Sequence, residues 1–183
     1  MTGRRILGVD PGLRTTGYGV IERSGDGYRL IEGGVLQPRA DQPIELRLHQ
    51  LHEAMLDVVR TTRPDCMVIE ELWTAYKNPM TAVLMGHARG VIALAAGANG
   101  IPVHHLAHAL VKRVLAGSGA APKAQVKGMV VQLLGLKKPP EPDDVSDALA
   151  LAIAYTNIET QQARFAAAGI ILPERRSRAT RAG

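Results

Sequence analysis

The stretch Arg5-Ile-Leu-Gly-Val-Asp10-Pro-Gly12 decides how the rest of the chain is read. It is nearly continuous apolar sequence that stops at an acid and a Pro-Gly break, the pattern of a strand covered on both faces. Outward from it, Tyr18-Gly-Val-Ile21 and Tyr28-Arg-Leu-Ile31 flank the turn signal Ser24-Gly-Asp-Gly27 and complete a three-strand meander. Apolar residues then recur at three and four from Ile44 to Val59, predicting an amphipathic helix that Arg63-Pro64 ends. Cys66-Met-Val-Ile69 predicts a fourth buried strand ending at Glu70-Glu71. A long helix follows over about 79–98, carrying the small residues Ala82, Gly86, Gly90 and Ala93, which would let another backbone approach. Val103 to Leu106 forms the fifth strand, and the remainder is helical around breaks at 117–122 and 137–142. This order predicts an α/β chain: a mixed five-stranded sheet with helices on both faces.

With 183 residues and 46% hydrophobic content, one folded domain is expected, assigned to 1–158, followed by an extension over 159–183 that is disordered after 173. Lys and Arg number 22 against 17 acids, a net charge of +5, which suggests an anionic partner. After Pro173, however, four arginines and one glutamate supply +3 of that surplus, so the body is nearly balanced. The single cysteine, Cys66, excludes an internal disulfide. Arg4-Arg5 precedes too short an apolar run for a signal peptide, and no run approaches a membrane span. A cytoplasmic location is expected.

Carboxylates at the ends of apolar segments are informative, because an unpaired buried carboxylate costs several kcal/mol. Asp10 ends the first strand, Glu70 with Glu71 ends the fourth, and Asp143, Asp144 and Asp147 open the last apolar helix, 148–155. Turn formation at Asp10 and N-capping at Asp143 or Asp144 are ordinary uses of such acids. At about 100° per residue both Asp144 with Asp147 and Asp143 with Asp147 share a helix face, so spacing leaves the pair open. If the two strands are neighbours and the helix crosses their ends, four carboxylates converge. Mg2+ or Mn2+ would be needed to neutralise them, and such a site suits phosphodiester hydrolysis. His104, His105 and His108 are not expected to form a metal site, since His104 and His105 alternate across a strand. His87 lies on the long helix, where it would face a second copy.

Ile6-Leu-Gly-Val-Asp10-Pro-Gly-Leu-Arg-Thr-Thr-Gly17-Tyr-Gly, Val68-Ile-Glu70, Lys123 with Gln125-Val126, and Asp144-Val-Ser-Asp147-Ala-Leu-Ala together resemble the RuvC family of Holliday junction resolvases over about 4–157. The resemblance implies a ribonuclease H-like fold and a homodimeric endonuclease using two Mg2+, with Mn2+ as substitute, to nick four-way junction DNA symmetrically. It implies catalytic, metal-holding acids at Asp10, Glu70, Asp144 and Asp147, basic residues near the site at Lys112 and Lys123, and a base-stacking aromatic at Trp73, with Tyr76 the second candidate. A partnership with the RuvA–RuvB branch-migration complex is implied as well. A nuclease for other branched DNA or RNA–DNA hybrids is the nearest alternative. An actin-like ATPase, suggested by Asp10-Pro-Gly12 with Thr15-Thr16, would need a duplicated fold for which the chain has little room.

Overall fold

A computed structural model describes residues 3–25, 27–71 and 79–170. The elements run β1 (Arg5–Asp10), β2 (Thr16–Ser24), β3 (Gly27–Leu36), α1 (Ile44–Thr62), β4 (Cys66–Glu70), α2 (Pro79–Gly97), β5 (Val103–Leu106), α3 (His108–Ala116), α4 (Lys123–Leu134) and α5 (Asp143–Ala167). They form a five-stranded mixed sheet in the order β3-β2-β1-β4-β5. β1, β2 and β3 are the antiparallel meander, while β4 and β5 add in parallel on the other side of β1. Parallel addition requires crossovers, which α1 and α2 provide.

The pleat divides the sheet between two cores. Leu7, Val9, Met67 and Ile69 pack with α1 and α2 through Leu51, Met55, Val59 and Ile92. Ile6, Cys66 and Val68 pack on the opposite face with α3, α4 and α5 through Val111, Val126, Leu149 and Ile153. Because side chains alternate along a strand, Asp10 and Glu70 continue the series of Ile6 and Val68 and share the α5 face. Glu71, one residue on, lies past the end of β4, its N–H donating to the Leu106 carbonyl at 2.9 Å.

α5 is apolar nearly all round from Val145 to Ala154 because the sheet covers one side and α3 and α4 the other. Its close approach depends on glycine. A Cβ at Gly8 would lie 2.0 Å from the Ala148 carbonyl oxygen, and one at Gly17 2.2 Å from that of Asp144. Gly17 is the register partner of Asp10, so the first turn of α5 sits directly beside the end of β1. Leu149, fully buried beneath this helix, is expected to cost about 2–5 kcal/mol on truncation to alanine, measured by urea unfolding of Leu149→Ala.

Two expectations change. α5 does not end near 155 but continues unbroken through 158 to Ala167, tied back by Arg4 to Glu159 at 2.6 Å and by Arg23 to Thr160. α2 is long and apolar enough, by length and composition, to cross a membrane, with a mean hydropathy of 1.3, although no such run was expected. Its Ala88, Ile92, Ala95 and Ala96 are buried in the second core, while Met80, Val83 and Leu94 are exposed. Among the described residues nothing lies within 4 Å of a Cβ placed at Gly86 or Gly90, so no described backbone approaches these two positions. The expected disorder after 173 lies outside the described residues.

Candidate active site

The site forms where β1 and β4 end side by side and the first turn of α5 crosses them. Val9 pairs with Ile69, which sets Asp10 beside Glu70, near enough for the Glu70 carboxyl to act on the proton of Asp10. The loop after Asp10 is held by Thr16, whose hydroxyl donates to the Gly12 carbonyl at 2.6 Å and accepts from the Gly12 N–H at 3.1 Å. Asp144 and Asp147, one helical turn apart on α5, both lie close enough to Asp10 to oppose its ionisation. Burial foremost, and then the negative charges of Glu70, Asp147 and Asp144, push the Asp10 carboxyl up to about 8.

The geometry separates Asp143 from Asp144, which spacing could not do. Asp143 faces solvent, takes ion pairs from Lys127 and from Lys123 at 3.4 Å, and its carboxyl is held below the ordinary range chiefly by the Lys127 hydrogen bond. Asp144 is half-buried against Gly17 and belongs to the acidic group.

Lys123 is the first residue of α4, where the helix dipole disfavours a cation. Asp147 compensates at 2.7 Å and raises the Lys123 ammonium pKa, mainly through that hydrogen bond. Lys112, Lys123, Glu70, Asp147 and His108 line one shallow cleft, so both lysines named from sequence stand at the acids. Trp73 and Tyr76 lie outside the described residues.

His108, set aside in the sequence together with His104 and His105, stands at the acids. Its Nδ1 is 2.8 Å from Glu70 Oε1. The histidines do separate, as alternation requires: His104 stacks on Tyr155 with ring centroids 4.5 Å apart, and His105 meets Arg89 at 3.0 Å on the other face. The signal for His108 was positional. β5 runs parallel to β4 with Leu106 opposite Glu70, so residues just beyond Leu106 emerge at the same sheet end.

Four carboxylates gathered at one sheet end, Asp10 among them pushed up by burial and its acidic neighbours, are a donor set suited to hard divalent cations. Among the described residues no three His, Cys, Asp or Glu side chains surround a single point as ligands would; Lys123 occupies Asp147 and His108 occupies Glu70. Cation binding would therefore require Lys123 to turn away from Asp147, and would displace the hydrogen held between His108 and Glu70 and the proton on Asp10. The sign for stability follows. An unfolded Asp titrates near 3.9, so from about pH 4 to 8 the native chain holds a proton that the unfolded chain lacks, and stability declines across that window. The gain in melting temperature from Mg2+ or Mn2+ over chelator should accordingly grow from pH 6 to pH 8.5. At about 100 times Kd it corresponds to about 2.7 kcal/mol, and a gain independent of pH would contradict the site.

A family model described as Crossover junction endodeoxyribonuclease RuvC matches residues 6–155. A curated relative of that name from Rhodopirellula baltica is 46% identical over 148 residues, 81% of this chain and 83% of the relative. Another, from Desulforamulus reducens, is 45% identical over 150 residues, 82% of this chain and 91% of the relative. Among solved structures, Thermus thermophilus RuvC in complex with a Holliday junction substrate superposes with a TM-score of 0.83 at 33% identity, covering 87% of this chain and 96% of that one. A yeast mitochondrial Holliday junction resolvase, at 14% identity and a TM-score of 0.63, shares the fold.

Proposed function

The chain belongs to the RuvC family of crossover junction endodeoxyribonucleases, and from that premise we propose that it resolves four-way DNA junctions by paired symmetric nicks in recombination and repair. Members of this family are metal-dependent nucleases. The observation that carries the reading for this chain is the contact of Asp10 with Glu70 beneath an α5 that brings Asp144 and Asp147 to the same place. These four acids are the proposed catalytic and metal-holding residues.

Two Mg2+ ions, or Mn2+ in their stead, would be held by the four carboxylates and supply activation of water and neutralisation of charge on the leaving oxygen. The strands fix Asp10 and Glu70, and the glycine-seated first turn of α5 fixes the other two acids. Lys123, released from Asp147, and Lys112 offer ammonium groups to the scissile phosphate. The first residues of α3 and α4, His108 and Lys123, border the cleft, and helix N-termini favour an anion. In-line attack by water leaves 5′-phosphate and 3′-hydroxyl ends. Trp73, or Tyr76, follows β4 in sequence and is proposed to stack on a base opened at the junction, a contact worth roughly 1–3 kcal/mol.

A homodimer supplies two equivalent sites to two equivalent strands. Val83, His87, Gly90 and Leu94 form one stripe along α2, and Val83 and Leu94 are exposed apolar residues; this stripe is the proposed contact. Leu94→Asp should shift the chain from dimer to monomer in light scattering and remove paired nicking; a monomeric wild type would contradict it. The nuclease unit is assigned to 1–158, with a cytoplasmic location and the RuvA–RuvB complex as partner.

The substrate class is tested by competition. A synthetic four-way junction should be nicked with Mg2+ in preference to a duplex of the same sequence, a flap and an RNA–DNA hybrid. Equal cleavage of the hybrid would move the chain to the alternative nuclease class.

A further inference from the structure

We propose that His108 is a nitrogen ligand of the acidic site and tilts its cation preference from Mg2+ toward Mn2+; this rests on the metal-holding role given above to Asp10, Glu70, Asp144 and Asp147. His108 is anchored by the fold. Leu106 is the register partner of Glu70, the Glu71 N–H is bonded to the Leu106 carbonyl at 2.9 Å, and only Ala107 separates Leu106 from His108. The imidazole reaches back to Glu70, with Nδ1 2.8 Å from Oε1, and lines the cleft shared by Lys123 and Asp147.

A nitrogen and an oxygen at that separation stand as neighbouring ligands do. Two donors at right angles about one ion, each about 2.0–2.1 Å from it, are about 2.9 Å apart. Mg2+ binds oxygen and gains little from an imidazole, whereas first-row divalent ions accept mixed nitrogen and oxygen sites. The other candidates for such a ligand are occupied elsewhere: His104 on Tyr155 and His105 on Arg89. Glu70 touches both Asp10 and His108, so one nitrogen joins the end of the carboxylate row.

The test is pulsed electron paramagnetic resonance of the full chain loaded with Mn2+ alone, read for nitrogen-14 modulation from a bound imidazole. The wild type and His104→Ala should show it; His108→Ala should lose it, and so should His108→Asn, which retains a polar side chain at the helix start. Mn2+ affinity should fall about 10-fold or more in both His108 variants, while Mg2+ affinity, measured by competition, should stay within about two-fold. Mn2+ bound to the wild type without nitrogen modulation, or modulation surviving in His108→Ala, overturns the role of His108 and leaves the acidic site intact. Failure of Mn2+ to bind the wild type overturns the acidic site and His108 together.

Discussion

Asp10→Asn should lower junction nicking by about three orders of magnitude, about 4 kcal/mol at 1.36 kcal/mol per decade, while leaving the fold intact and making it more stable. The two effects have one origin. Asp10 sits at the end of β1 against Glu70, with Asp144 and Asp147 near, and burial with these neighbours holds its proton on to about pH 8. An amide keeps the shape and removes the charge, so repulsion is relieved in the absence of cation. At pH 8 in chelator a gain of roughly 2 kcal/mol is expected, or about 5 °C in Tm. The same change removes a carboxylate from the metal-holding set, so Mg2+ should cease to raise Tm. A variant that melts below wild type in chelator, or that still nicks, would show that Asp10 is a turn residue and nothing more.

Gly17→Ala should reduce nicking about 100-fold with a smaller stability loss of about 1–3 kcal/mol. The added methyl group would meet the Asp144 carbonyl oxygen at 2.2 Å and its Cβ at 2.7 Å. Backbone cannot yield as a flexible side chain does, so the first turn of α5 must lift, carrying Asp144 away from Asp10. Gly8→Ala makes the same clash one turn later, 2.0 Å from the Ala148 carbonyl oxygen, beneath the buried middle of α5. The pair separates placement from packing: the ratio of activity loss to stability loss should be larger at Gly17 than at Gly8. Junction nicking and urea midpoints measured on both variants check this, and equal ratios would mean that the glycines serve packing alone.

These glycines also explain where the sequence was legible and where it was not. β1, α1, β4 and β5 announce themselves because hydrophobic runs or a 3.6-residue period bounded by Pro or Gly suffice to define them. β2 and β3 extend beyond the expected 18–21 and 28–31, to 16–24 and 27–36, because Gly17, Gly19, Gly33 and Gly34 carry no apolar signal. At Gly17, Gly19 and Gly33 the missing side chain reflects α5 lying close above, and at Gly34 it leaves room for the Tyr18 ring, both tertiary facts. α5 runs past 158 for a similar reason: its later turns are polar and largely exposed, so the buried periodicity ends before the helix does.

The acids were legible as a group and ambiguous as individuals. Pleat parity alone favours Glu70, since Cys66, Val68 and Glu70 alternate onto the α5 face. No comparable rule separates Asp143 from Asp144: the resemblance named Asp144, and the structure shows the physical difference, Asp143 lying outward in ion pairs with Lys127 and Lys123. His108 was named in the sequence and set aside with its neighbours, because its link to Glu70 depends on the parallel register of β4 and β5, which periodicity does not reveal.

The most direct measurement is the mapping of cut sites on a synthetic mobile four-way junction incubated with the full chain and Mg2+, followed by ligase treatment. Two nicks at symmetry-related positions on opposing strands, sealed by ligase without further processing and absent with chelator or with Asp10→Asn, are the predicted result. A single unpaired cut, ends that ligase cannot seal, or cleavage that persists in chelator would contradict a junction-resolving, carboxylate-held metal site at the ends of β1 and β4.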